Sequence, residues 1–487
     1  MSTTAAQPIR MKTKLAYGIG SAAEAAIHIA FNTFNFLFYN NVLGLSGTLT
    51  GLAVTIALVF DAISDPLIGS LSDRWQSKHG RRHPFLYAAP LPLGFCFVAI
   101  YAPPAGLEGY GLFAWFTCFT VLLRTALTFY HVPHLALGAE LSNDYRERTV
   151  IMSYNSILGM LGGASAFFFG WTWFSKAEGG REVAGNYLWM GLAIGGASAL
   201  VVWFSAYFTR DQIPKLKAAP TDLPRLSLKE LASEVTECLQ NRNYLWLLLG
   251  MVCLSATAGT RETMSAYVNL FFWGLKEDQL RYFGLTTPIA FVIAFIITPR
   301  LHSRFDKRET IVGACAVYVI TTTLPIVLRI LDLMPENGAP VLFPVLAGFV
   351  ALYYGASAVL SISVMSALAD VADEHELSSG RRQEGVFYSA RTLLGKLTSG
   401  LGHLIGGIAI DIIEFPVGAK PGEVDEEVIF NLGLLDGPVA AIPSLFAIGL
   451  YGRYAINRKR HREIQAELVV RRDASDGPLP APGDDAA

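Results

Sequence analysis

Charge is scarce in this 487-residue chain: only 16% of its residues are Asp, Glu, Lys or Arg, where soluble domains carry about 25%. With 52% hydrophobic residues and a mean hydropathy of +0.40, that shortage excludes an ordinary water-soluble fold. Cysteine is scarce as well. Cys96, Cys118, Cys238, Cys253 and Cys315 show no C-x-x-C or metal-ligand spacing, so they read as packing residues, with neither a disulfide framework nor a metal site expected. The chain lacks H-E-x-x-H, G-x-x-x-x-G-K-[ST] and G-x-S-x-G, which leaves a polytopic membrane enzyme as a remote alternative without a catalytic constellation. No cleavable leader is expected. Met1 to Lys14 is polar and the first apolar segment is too long for a signal h-region, so that segment reads as a signal anchor.

What the chain has instead is long apolar windows. A membrane-spanning helix needs roughly 20 mostly apolar residues, and twelve such windows can be read, the first at 15–43 and the last at 436–457. The expected organisation is a tail at 1–14, a six-helix bundle at 15–209, a linker at 210–242, a second six-helix bundle at 243–457 and a tail at 458–487. In the linker, Ser227 and Glu230 form a capping box, and Leu228, Leu231, Ala232, Val235 and Leu239 recur at helical spacing, as in an amphipathic helix lying on the membrane. The tail after Glu467, ending in DGPLPAPGDDAA, reads as disordered.

Most of the 38 Lys and Arg fall in the tails and in the loops after even-numbered windows, whereas the opposite loops hold only Lys176, Arg181, Lys276, Arg281 and Lys420. The positive-inside rule then places both termini in the cytoplasm. The halves also echo each other: GAELSNDYRERT after window 4 matches ALADVADEHELSSGRRQEG after window 10 in position and charge order. Related halves are what transporters built from internal repeats show, with the solute bound near the bilayer midplane.

Charges inside spans cost about 2.5 to 3.5 kcal/mol each on insertion scales, so each needs a reason. Asp61 and Asp65 stand at i and i+4 on one helix face with Ser64 beside them. Two carboxylates there repel unless a proton or a bound cation intervenes, and Pro66 frees the carbonyl of Ala62 as a further oxygen ligand. The alternative is a protonated or Arg-paired packing cluster. Glu24, His28, Asn32, Asn35 and Tyr39 form one stripe of the first window, which lines either a polar ligand or a helix interface. Arg124, Thr128 and His131 share a face of the fourth window, Thr260, Arg261, Glu262 and Asn269 lie in the seventh, and Arg391, Thr392, Lys396, Ser399 and His403 lie in the eleventh. Arg124 and Lys396 are the natural counter-charges for Asp61 and Asp65. Beyond the second window, Asp73, Arg74, Gly80, Arg81 and Arg82 cluster at a cytoplasmic helix end, where charges can latch helices in one conformation and release them in another.

DAISDPLIGSLSDRWQSKHGRRHPFL (Asp61–Leu86) resembles the signature of the glycoside-pentoside-hexuronide:cation symporters of the major facilitator superfamily. KLAYGIGS, ALADVADEHELSSGRRQEG, the Arg391–Lys396 motif and YAINRKRHREI resemble that family too, in the same order. The resemblance implies an all-α membrane protein of twelve transmembrane helices in two six-helix bundles, the major facilitator fold, resident in the plasma membrane. It implies that Asp61, Ser64, Asp65 and Thr128 form a cation site of the melibiose-permease kind, with Lys396 balancing charge beside it. Ser64 in place of an amide inclines the site to H⁺ or a relaxed Na⁺ geometry. Positions used for sugar in such relatives depart here: Ala25 next to Glu24, His131, Leu135 and Ser156 replace two acidic residues, an aromatic and an arginine.

The expected function is secondary active symport of a sugar (glycoside, pentoside or hexuronide) with a cation by alternating access, with Na⁺ or H⁺ as the coupling ion and no cofactor; His28, His131, Arg391 and Lys396 leave room for an anionic sugar. Glu24, His28, Asn32, Asn35, His131, Arg261, Arg391 and Thr392 are the expected solute contacts, Lys396 and Arg124 the charge-balancing residues, and Asp73, Arg74, Gly80, Arg81 and Arg82 the cytoplasmic gate. The expected partners are a small polar solute, a cation and membrane lipid, with no nucleic acid, and the chain is expected to work as a monomer. A same-fold transporter of an amphipathic or lipid-like solute stays open as the alternative.

Overall fold

Long apolar runs that begin with a side chain able to accept backbone N–H groups start helices at defined residues. In a computed structural model, residues 9–216, 236, 238–380 and 384–475 are described, and among them the chain is helical with no strand. The first long helix is α1 (Met11–Phe36). It is followed by α2 (Gly47–Arg74), α3 (His83–Ile100), α4 (Gly109–Glu140), α5 (Arg146–Lys176) and α6 (Ala184–Pro214). The second half holds α7 (Arg242–Phe272), α8 (Glu277–Arg304), α9 (Lys307–Ile330), α10 (Leu342–Ser379), α11 (Gly385–Ile412) and α12 (Glu426–Tyr451). Ser46 Oγ accepts from the Leu49 N–H at 3.2 Å to open α2, and Asn241 accepts from Tyr244 at 3.0 Å to open α7. Asp306 and Glu309 form a capping box ahead of α9.

The helices α2 to α12, eleven in all, are long and apolar enough to cross a membrane. Helix α1 falls outside that set because the stripe of Glu24, His28, Asn32 and Asn35 makes it too polar. The segment around Ser227 and Glu230, and the chain from Asp476 onward, lie outside the described residues. One expectation is corrected: the tail stays helical past Glu467 as α13 (Arg458–Ser475). Ile464 and Leu468, one turn apart, are buried against the second half, and Arg471 Nη1 donates to the Leu377 carbonyl at 2.8 Å. A short apolar stripe with a place to dock outweighs the polar composition around it.

The apolar cores divide the molecule unevenly. Phe34, Tyr39 and Phe116 of the first half pack in one continuous core with Tyr267, Phe271 and Leu432 of the second, at the end that carries the α1–α2 and α7–α8 connections. Toward the chain termini there are two separate cores, one around Tyr17, Tyr130 and Leu137, the other around Tyr244, Leu248 and Phe387. The halves are therefore sealed together at one end and parted at the other. Helices α2 and α11 carry the seal inward. Gly47 and Gly51 lie against the carbonyls of Gly407 and His403, where a Cβ would collide, the close backbone approach that small residues permit between membrane helices.

Candidate functional site

The sealed end is held by polar contacts between the halves. The Asp411 carboxylate accepts from the Gly47 and Thr48 N–H groups at 2.6 and 2.8 Å, the Tyr267 hydroxyl donates to Asn40 Oδ1 at 2.6 Å, and the Gly418 N–H donates to the Asn41 carbonyl at 2.8 Å. Arg181 pairs with Glu277, and Lys420 lies 3.1 Å from Glu182. Moving inward, Thr55 donates to the Gly400 carbonyl at 2.6 Å. Beyond Asp65 and Lys396 toward the termini, no hydrogen bond or ion pair joins the two halves among the described residues.

The innermost link is a cluster of charge. Lys396 Nζ, from α11, lies 2.8 Å from Asp61 Oδ2 and 2.5 Å from Asp65 Oδ2 on α2. The Thr128 hydroxyl, from α4, is 2.9 and 3.0 Å from the remaining oxygens of the same two aspartates, and Ser64 Oγ is 3.3 Å from it. The i, i+4 spacing puts both carboxylates on one face, and the lysine ammonium holds the position that a small cation would need. Asp61 is buried, while Asp65 and Lys396 are about one-quarter exposed.

The α1 stripe divides. Glu24 Oε1 lies 2.6 Å from His131 Nδ1 on α4, His28 is exposed between the halves, and Asn32 Nδ2 donates to Glu262 Oε1 on α7 at 2.8 Å. Asn35 and Tyr39, farther along, are buried in the seal, where the Tyr39 hydroxyl donates to the Ile100 carbonyl at 2.7 Å. Arg261 pairs at 3.0 Å with Asp436, within the second half. Arg391 has the ring hydroxyls of Tyr244 and Tyr451 in its electrostatic range, and Thr392 bonds its own helix at Tyr388. Neither is brought to the Asp61–Lys396 cluster.

The helix-end charges brace one half. Arg82 pairs with Asp73, donates to Ser72 Oγ at 2.7 Å and lies 2.8 Å from Glu140 at the end of α4, while Arg81 lies 2.9 Å from the same carboxylate. Gly80 turns the intervening loop at φ +73°, a region that only glycine adopts freely. Asp73 and Arg74 prove to be the last residues of α2 itself.

The sequence profile of the family described as MFS/sugar transport protein matches residues 16–458. The chain belongs to the MFS sugar-transport family. Among its relatives, the lactose permease of Leuconostoc lactis is 23% identical over 93% of this chain and 71% of its own, and the isoprimeverose transporter of Lactiplantibacillus pentosus is 22% identical over 80% and 78%. The xylose transporter XylE of Escherichia coli, in an inward-open conformation, superposes with a TM-score of 0.61 at 13% identity, covering 93% of this chain and 98% of that one. At that identity the likeness establishes the fold alone.

This member of the MFS sugar-transport family is thus an integral membrane transporter of major facilitator fold and not an enzyme. Its site contains residues that spacing did not single out. Asp436 and Asp411 are acidic residues in or at the ends of apolar windows, which was their only mark, and Glu262 was noted in the seventh window without a role; that Glu262 meets Asn32 and Asp411 meets Gly47 depends on contacts 230 and 364 residues apart in the chain.

Proposed function

We propose that this transporter carries a sugar together with a cation by alternating access. Asp61, Asp65 and Thr128 would hold the cation with Ser64 beside them, and Lys396 acts as their internal counter-charge. The carrying observation is the reach of Lys396 from one half to both aspartates of the other. A cation entering this site replaces the ammonium as the neutralising charge and so alters a link between the halves. Cation and solute then strengthen each other's binding by one common factor. The sugar assignment draws on the relatives named for lactose and isoprimeverose transport. Helix α1 is proposed as a twelfth span, with both termini cytoplasmic; on that orientation the parted end faces the cytoplasm, and the brace of Asp73, Arg74, Gly80, Arg81 and Arg82 sits at its rim. The test is thermal stability of the purified protein against a sugar panel, with and without Na⁺, at two pH values. Stabilisation by a sugar that grows with Na⁺ or with protons is the expected result; no sugar response under any condition rejects the reading.

A further inference from the structure

Among the charges nearest the Asp61–Lys396 cluster, Arg124 and Glu262 have no Lys, Arg, Asp or Glu ion-pair partner among the described residues. Lys396 serves Asp61 and Asp65, Arg261 serves Asp436, and His131 faces Glu24. On the first half, Arg124 is 6% exposed, and its guanidinium carbon lies 5.4 Å from the centre of the Phe31 ring. Its side chain makes no hydrogen bond or ion pair among the described residues. None of its nitrogens is among the sealed, unpartnered polar atoms, so they keep access to open space. On the second half, Glu262 holds one neutral donor, Asn32, at 2.8 Å, and its side chain is 39% exposed. His403 Nε2, 3.7 Å away, is beyond hydrogen-bonding distance, and its other ring nitrogen is engaged 2.8 Å from the Thr263 hydroxyl. Of the carboxylates around Arg124, Asp61 acts on it most strongly and Glu262 next, and neither forms an ion pair with it.

A guanidinium without a hydrogen-bond partner on one half and a carboxylate holding only a neutral donor on the other together select by charge. An anion answers Arg124 and is repelled by Glu262, and a cation meets the reverse. A neutral polyol answers both, because each hydroxyl both donates and accepts, and the guanidinium fork suits two adjacent oxygens. We propose that Arg124 and Glu262 are the two poles of the solute site, and that the solute is a neutral sugar whose hydroxyls bridge them across the halves. Asn32 is then a positioning residue that holds Glu262 toward the sugar. This rests on the sugar reading above and assigns Arg124 to the solute rather than to the balancing of Asp61 and Asp65.

The test measures binding of lactose, isoprimeverose, xylose and glucuronic acid to the purified full-length protein, together with its Na⁺ and pH response. Arg124→Gln and Glu262→Gln should each weaken the best neutral sugar at least tenfold and leave the Na⁺ and pH response at wild-type level. The double variant should be little worse than the poorer single one, since both groups hold one ligand. If Arg124→Gln is not recovered monodisperse, Arg124→Lys, which keeps the charge and loses the fork, must show the same loss. Tighter binding of glucuronic acid than of every neutral sugar overturns the inference. So do variants that bind sugar like the wild type, or an Arg124 variant that loses the cation response with sugar affinity intact. If no sugar binds the wild type, the sugar reading itself fails, a result distinct from sugars binding wild type and variants alike.

Discussion

Lys396 Nζ lies 2.5 Å from Asp65 Oδ2, although α11 and α2 belong to opposite halves of the transporter. The same ammonium is 2.8 Å from Asp61. One lysine thus reaches both carboxylates of the pair from the opposite half, at the point where a cation is proposed to replace it.

Asp65→Asn removes one carboxylate of the pair at nearly constant shape. Concentrative uptake should fall to background, while the protein stays folded and still exchanges solute down its gradient. Accumulation at the wild-type level in reconstituted vesicles would take Asp65 out of the cation site.

Lys396→Met removes the internal competitor. An isolated pair of like charges favours whichever cation can neutralise it, so the midpoint of Na⁺-dependent or proton-dependent stabilisation should move at least tenfold toward lower concentration, and transport should be lost. An unmoved midpoint in a titration of melting temperature would show that the ammonium and the cation do not compete.

Asp411→Ala takes the acceptor from the first two N–H groups of α2. Loss of such a cap costs about 1 kcal/mol, and about 1 kcal/mol shifts a two-state ratio roughly fivefold. The sealed end should open more often. A cysteine introduced by Asn35→Cys, at a position now 4% exposed, should react about fivefold faster with an impermeant thiol reagent applied from that side. An unchanged rate would mean the glycine contacts of α2 and α11 hold the seal without Asp411.

Arg82 is 4% exposed and serves Ser72, Asp73 and Glu140 together. Arg82→Ala should destabilise the protein by about 3 kcal/mol, the low end for breaking a buried pair from one side. Asp73 is nearly half exposed, so Asp73→Asn should cost under about 1 kcal/mol. It should slow solute exchange while leaving equilibrium affinity within a few-fold, because affinity changes only as far as the competent population does. Affinity lost by orders of magnitude with exchange intact would contradict a role in the gate.

By itself the sequence determined the solvent and the helices: the apolar windows of α2 to α12 and their caps are local properties, read from neighbours within a few turns. It also determined which face Asp61 and Asp65 share, because i and i+4 coincide on any α-helix. Partners belong to tertiary structure. Lys396 and Arg124 were equally good counter-charges for the aspartates on spacing alone, and only the packing of α11 on α2 brought one into contact and left the other against the Phe31 ring with no ion pair. The α1 stripe was one uniform feature in sequence. The seal between the halves divided it, because burying Asn35 and Tyr39 while leaving Glu24, His28 and Asn32 open depends on where two distant bundles touch, a choice that no periodicity encodes.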